Sequence, residues 1–218
     1  MNATFHYLKS HDENIEFDYF ANALNPYYEE YGDDGFSISE DRFICDPKVH
    51  ESWFFGSSNT GDIFNESFVD DLRLKIEEKY DTKDTRIFDF VTGDGAFDCS
   101  KNPDKQEEEV YKLIEKECWI GLNFLKDNGT MVVKFFTFFQ KKTMVLVHRL
   151  FKVFGNVTAY KPSTSKAGNR ETYLVCRNFN LEEFNKASYS QSDTFFNQSD
   201  PIPMDFYNVI LNYCQKKR

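Results

Sequence analysis

Three ionisable residues lie at or just beyond predicted strand ends. Asp94 follows Ile87, Phe88, Phe90 and Val91 in RIFDFVTGDGAFD. Lys134 lies inside a second apolar run, MVVKFF, and Glu171 closes a basic one, KPSTSKAGNRE. A lysine in an apolar strand is costly unless it is paired or used. Paired, Lys134 forms a buried salt bridge with Asp94. Used, it is a lysine whose proton is managed by two carboxylates. Such a group can take the proton that a weak nucleophile, a hydroxyl for example, loses as it attacks.

The elements that must position these residues follow from the apolar pattern. Residues 87–91 read as a strand buried on both faces, as in a parallel sheet. It ends in Gly93-Asp94-Gly95, whose glycines free the backbone to turn and leave room for a ligand. Asp94 then sits at the carboxyl end of a strand, where open α/β sheets bind ligands. Residues 130–136 are a second buried strand carrying Lys134. Between them, 106–126 is the clearest helix, with Val110, Leu113, Ile114, Cys118, Gly121, Leu122 and Leu125 on one stripe. Glu107, Glu108 and Glu109 suit the positive end of its dipole, and Asp127-Asn128-Gly129 terminates it. A helix at 143–154 and strands at 157–160 and 172–176 follow, with the basic loop between the two strands. Upstream, 2–10 reads as the end of a helix. Alternation at Ile15, Phe17 and Tyr19 predicts a strand over 15–23. Residues 27–39 are an acidic loop and 56–62 a small polar one, and Asn65 caps a helix running to Tyr80. A short helix over 206–213 ends the chain. Strands alternating with helices give an α/β fold, a mostly parallel sheet with helices on both faces.

The chain of 218 residues is long enough for one sizeable domain. It has no run of about 18 apolar residues, so no membrane span is expected. The five cysteines are odd in number and widely spaced, and the four histidines do not cluster. Reduced thiols, no zinc site and no metal are the expectation. The net charge of −10 argues against nucleic acid until its distribution is seen. Residues 126–170 hold nine bases and one acid, Asp127, for a net +8. That is a candidate phosphate-binding face on an acidic body.

The stretches VTGDGAFD, MVVKFF and KPSTSKAGNRETYLVC resemble the FtsJ-like ribose 2′-O-methyltransferases. The likeness is greatest to the group acting on the second transcribed nucleotide of capped mRNA. YLKSH, ANALNPYYE and WFFGSSNTGDI carry it further, over about 7–178. The resemblance implies a Rossmann-like S-adenosylmethionine-dependent fold with a Lys-Asp-Lys-Glu tetrad. By match, Asp94 is its Asp, Lys134 its second Lys and proton acceptor, and Glu171 its Glu. Ala21, Asn22, Asp62 and Asp94 fall where the family meets the cofactor. Lys161, Lys166 and Arg170, with Lys141 and Lys142, would face RNA phosphates. Capped mRNA is the implied partner and nucleus or cytoplasm the implied location, while the oligomeric state is left open.

The family's Gly-rich cofactor turn and first tetrad lysine belong before YLKSH, and neither is present in this sequence. An N-terminally incomplete or degenerate copy is therefore expected, lacking its first central strand and binding cofactor poorly alone. The domain assignment is 1–178 for the methyltransferase and 179–218 for an extension. Two other functions compete. A non-catalytic RNA-binding relative fits the missing turn. A nucleotide-binding dehydrogenase explains neither Lys134 nor the basic loop.

Overall fold

The computed structural model describes residues 2–28, 51–97, 99, 101–165, 170–186 and 201–216. Residues 1–72 and 73–218 form two compact units. In the first, α1 spans Asn2–His11, with Lys9 and His11 in its last turn beside the negative end of the dipole. The strand expected over 15–23 is not formed. Phe17 and Tyr19 do share a side, their rings 5.8 Å apart. Ladder pairing is confined to Ala21, which bridges Trp53 in parallel through Ala21 N–H to Ser52 O (2.7 Å) and Phe54 N–H to Ala21 O (2.8 Å). Alternation reports which side of a segment is apolar; a strand also needs a partner alongside it.

Helix α2, Phe68–Tyr80, contains the boundary between the units. Its start lies later than the Asn65 cap predicted. Asn65 Oδ1 instead accepts the N–H of Ser67, closing a local turn that keeps Asn65 outside the helix. Ser67 precedes the first helical residue, and its hydroxyl donates to Asp71 Oδ2 at 2.8 Å.

The second unit is built on four strands: β1 (Phe88–Gly93), β2 (Leu125–Phe135), β3 (Phe154–Tyr160) and β4 (Thr172–Phe179). Their order across the sheet is β1-β2-β4-β3. The α/β architecture is as expected, with β1, β2 and β3 running the same way and β4 alone reversed between β2 and β3. β1 pairs with β2 in parallel, whereas β4 runs antiparallel to both β2 and β3. A helix carries the chain between β1 and β2, so they can run the same way; β3 and β4 are joined by a loop alone, as antiparallel neighbours are.

Helix α3 (Gln106–Phe124) connects β1 to β2, and α4 (Lys141–Val153) connects β2 to β3. Both pack on one face of the sheet, in a single core with Met131, Val133, Phe135, Leu174 and Cys176. On the other face Val132 and Val175 are half-buried and Thr158 is exposed. β1 is accordingly not buried on both faces. Among the described residues it pairs with β2 alone, and Phe90 is 47% exposed. A short helix α5 (Leu181–Lys186) and α6 (Met204–Lys216) complete the unit. Ile210 of α6 joins the core, and Phe206 meets Phe151 with ring centroids 5.3 Å apart.

Two details fix the ends of α3. Glu107, read as a dipole partner, is buried and accepts hydrogen bonds from the Thr137 hydroxyl and from the N–H groups of Phe139 and Gln140. It therefore ties down the loop that follows β2. At the other end Arg86 donates to Leu122 O at 2.6 Å, satisfying a terminal helix carbonyl. The helix stops at Phe124, not at Asp127-Asn128-Gly129. Those three residues form a bulge inside β2, where Phe88 pairs with Leu125 but Phe90 with Thr130. Asn128 takes φ +63°, which asparagine tolerates.

Leu122 is fully buried between α3 and the sheet, whereas Leu74 on α2 is 63% exposed. Leu122→Ala is expected to cost about 2–5 kcal/mol in denaturant unfolding, and Leu74→Ala within about 0.5 kcal/mol of nothing.

Candidate active site

Lys134 is only 6% exposed, yet its ammonium is not isolated. Nζ donates to the backbone carbonyl of Asp94 at 2.6 Å and stands 3.0 Å from Asp94 Oδ1. It also lies over the Phe136 ring, 5.9 Å from its centroid. Parallel pairing explains the encounter. Gly93 sits opposite Val133, so Asp94, one residue on, is delivered to the carboxyl end of β2 beside Lys134. The cross-strand neighbour of Lys134 is Tyr173, whose hydroxyl donates to Asp94 Oδ1 at 3.2 Å. Burial, with the charges of Asp94 and Glu171, pushes the Tyr173 phenol up to about 12, so it stays a donor.

Glu171 immediately precedes β4, whose first residue, Thr172, pairs with Phe135. It thus shares the sheet end with Asp94 and Lys134. Its carbonyl accepts a hydrogen bond from Lys161 Nζ at 3.0 Å. The three residues expected to act together are at one end of the sheet, two of them in contact.

Glycines Gly93 and Gly95 serve a purpose the sequence did not reveal. Neither has a left-handed φ. A Cβ on Gly93 would stand 3.0 Å from the Glu117 carboxyl, and one on Gly95 2.8 Å from Glu117 Oε1. The room they leave holds a third carboxyl group. Gly95 N–H donates to Glu117 Oε1 at 2.7 Å. Oε2 is buried without a hydrogen-bond partner. Desolvation raises the Glu117 carboxyl to about 7, against the pull of the Gly95 N–H and of Lys134. Glu117 and Tyr173 were both missed. A sequence signal existed for Glu117, four residues after Leu113 and four before Gly121, on the apolar stripe of α3. None existed for Tyr173, since register alone sets it beside Lys134.

The basic segment divides in space. Lys141 and Lys142 begin α4 just after β2, and Lys161 and Arg170 flank the β3–β4 loop, all at the Lys134 end. Lys142 Nζ rests 4.8 Å from the Tyr111 ring centroid, and Arg170 meets Asp104 at 3.4 Å. Lys126 is at the other end of β2, bonded to Asp89 at 2.9 Å, and Lys152 lines a cavity with Asp127 and Asn178 there. Among the described residues, one continuous basic face over 126–170 is therefore not formed, because β2 separates its members. Lys166 lies outside the described residues.

In the first unit Ala21, Asn22 and Asp62 come together. Asn22 Nδ2 donates to Phe54 O and Gly61 O, both at 3.0 Å, and Asp62 Oδ1 accepts from Phe64 N–H at 2.9 Å. Gly61 has φ +71°, and a Cβ there would strike Ala23 O, so this turn requires glycine. Among the described residues no group of three histidine, cysteine or acidic side chains could hold a metal, and no helix is long and apolar enough to cross a membrane.

The sequence pattern of the FtsJ-like methyltransferases matches residues 35–179, more than half of the chain. This chain belongs to the FtsJ-like methyltransferase family. Among its relatives is the cap-specific mRNA (nucleoside-2′-O-)-methyltransferase 2 of Danio rerio, 38% identical over 82% of this chain and 23% of that protein. The protein of the same name in Drosophila melanogaster is 37% identical over 81% of this chain and 25% of its own length. The cap-specific mRNA (nucleoside-2′-O-)-methyltransferase of Autographa californica nuclear polyhedrosis virus is 25% identical over 92% of this chain and 72% of that protein. The chain thus spans about a quarter of the two animal relatives.

In this FtsJ-like site the fit of Glu117 beneath the turn is tight enough to test. Gly95→Ala forces a methyl group against the oxygen that the Gly95 N–H holds. A loss of about 1–3 kcal/mol in unfolding free energy is expected.

Proposed function

We propose that the chain transfers a methyl group from S-adenosylmethionine to the ribose 2′-hydroxyl of the second transcribed nucleotide of capped mRNA. The observation that carries this reading is Lys134 Nζ, buried and aimed by two oxygens of Asp94 at a sheet end. The names of the two animal relatives support the substrate. A ribose hydroxyl is a weak nucleophile. As its oxygen gains the methyl carbon and the carbon–sulfur bond breaks, its proton must leave. Lys134, in its amine form, accepts that proton, and the Asp94 carbonyl and carboxylate stabilise the ammonium that results. Tyr173 steadies Asp94, and Glu171 adds negative charge at the same end.

The residues of the first unit fit a nucleoside. Asn22 commits its amide N–H groups to the chain and keeps Oδ1 as an acceptor. Asp62 uses Oδ1 in its own turn and keeps Oδ2. Two acceptors of this kind suit the hydroxyl and amino donors of S-adenosylmethionine, which supplies the electrophilic methyl group when bound. Lys141, Lys142, Lys161, Lys166 and Arg170 are the candidate contacts to RNA phosphates. Capped mRNA as substrate carries with it a nuclear or cytoplasmic place of work.

Single-turnover methylation of capped RNA tests the reading, in the chain and its variants extended at the N-terminus by the family's Gly-rich cofactor turn. Lys134→Ala should lower the rate by about two to four orders of magnitude. Lys134→Arg should be nearly as damaging, because a guanidinium keeps its proton. A well-folded Lys134→Arg chain with near-normal turnover would show that Lys134 is only a salt-bridge partner. For RNA binding, affinity should fall steeply with salt. Charge reversal at Lys141 and Lys161 should reduce the log–log slope by about 0.7 per lost single-strand contact; an unchanged slope removes these lysines from the RNA path.

A further inference from the structure

Among the described residues, Glu117 is the one carboxyl near Lys134 to which the reaction above gives no part. It reaches the site from α3, on the apolar stripe, with Oε1 on the Gly95 N–H and Oε2 buried without a hydrogen-bond partner. The glycines at 93 and 95 leave the space it occupies. Its alternatives are unattractive. A surface acid would not be desolvated, and the backbone and charge of Asp94 act on this carboxyl together with the Gly95 N–H.

We propose that Glu117 is a positioning residue for the Asp94–Lys134 pair: it fixes the Gly93–Gly95 turn, and it answers to the charge of Lys134 beside it. The proposal rests on the methyl-transfer reading for its consequence, but not for its detection. The charged and titratable groups facing Glu117 are Lys134 from β2 and Asp94 from the turn after β1, with Cys118 beside it on α3. Tyr173 of β4 reaches it through Asp94. Neutral Glu117 leaves Lys134 opposite one carboxylate; ionised Glu117 makes two. The second charge alters the field around the Asp94–Lys134 pair as pH rises past Glu117's own transition.

That transition lies at about 7, above the ordinary 4.5 of a glutamate, because burial penalises the charged form. Between those two values the unfolded chain binds fewer protons than the folded one, so stability falls as pH rises. The contribution of a carboxyl whose folded value is raised is full below about 4.5 and is lost as pH rises through about 7.

Carbon-13 NMR of the chain labelled at glutamate carboxyls reads this directly. One resonance should titrate near pH 7, be missing from Glu117→Gln, and move to higher pH in Lys134→Met, which removes the cation that favours ionisation. The wild-type melting temperature should fall between about pH 4.5 and 7 in a component that Glu117→Gln lacks. In single-turnover assays Glu117→Ala should slow methyl transfer by up to about 100-fold. Glu117→Gln, which keeps an acceptor for Gly95, should restore most of the rate and lose the inflection near pH 7. If Glu117→Gln fails to fold, the Lys134→Met shift still decides. Absence of any glutamate resonance titrating above about pH 6, or one that does not move in Lys134→Met, overturns the proposal. The titrations need no turnover, so failure of methyl transfer by a chain carrying the Gly-rich cofactor turn refutes the reaction and leaves the response of Glu117 to Lys134 standing.

Discussion

A lysine ammonium almost shut off from water must have negative charge mounted beside it, or give up its proton. That requirement at Lys134 organises the second unit. The counter-charge comes from Asp94, and parallel pairing of β1 with β2 is what brings Asp94 alongside. The loop after β2 is tied by Glu107, the turn after β1 by Glu117, and Asp94 itself by Tyr173. Three polar side chains are therefore committed to keeping one ion pair in place. Removing Asp94 would leave the buried ammonium uncompensated, whereas Asp94 is largely exposed and removing Lys134 empties a buried site instead, so a Lys134 variant is informative only when its folding is measured with its activity.

Sequence reasoning reached the pair because a lysine within MVVKFF and an aspartate between glycines are anomalies of type and place. It also reached α3 and α4, whose apolar stripes are long enough to be unambiguous. It placed the ends of β1 within two residues, began β2 five residues late, and misjudged the setting of both. An apolar run does not say whether both faces of a strand are covered, and β1 pairs only with β2 among the described residues. The segment 15–23 failed for a related reason, since alternation carries no information about a partner. Asp127-Asn128-Gly129 looks the same in a sequence whether it ends a helix or bulges a strand. The register that sets Tyr173 opposite Lys134 depends on pairing between strands far apart in sequence and has no local signature.

The distribution of charge shows the same limit at longer range. Nine bases within 45 consecutive residues suggest a patch, but that segment runs the length of β2 and returns through β3. Folding sorts its charges to two ends of the sheet. Those near Lys134 are the ones that share a place with the candidate chemistry; Lys126 is occupied by Asp89.

The antiparallel pairing of β3 with β4 bears on how such a domain can diversify. The eleven residues from Lys161 to Glu171 join two strands whose mutual register is already set by six paired positions, from Phe154–Phe179 to Tyr160–Tyr173. Loop closure depends only weakly on length. The connection can therefore be lengthened, shortened or recharged while Tyr173 stays opposite Lys134. A change there alters what the rim of the site touches and leaves the lysine and its aspartate where they are, so substrate contacts and proton handling can evolve on separate schedules.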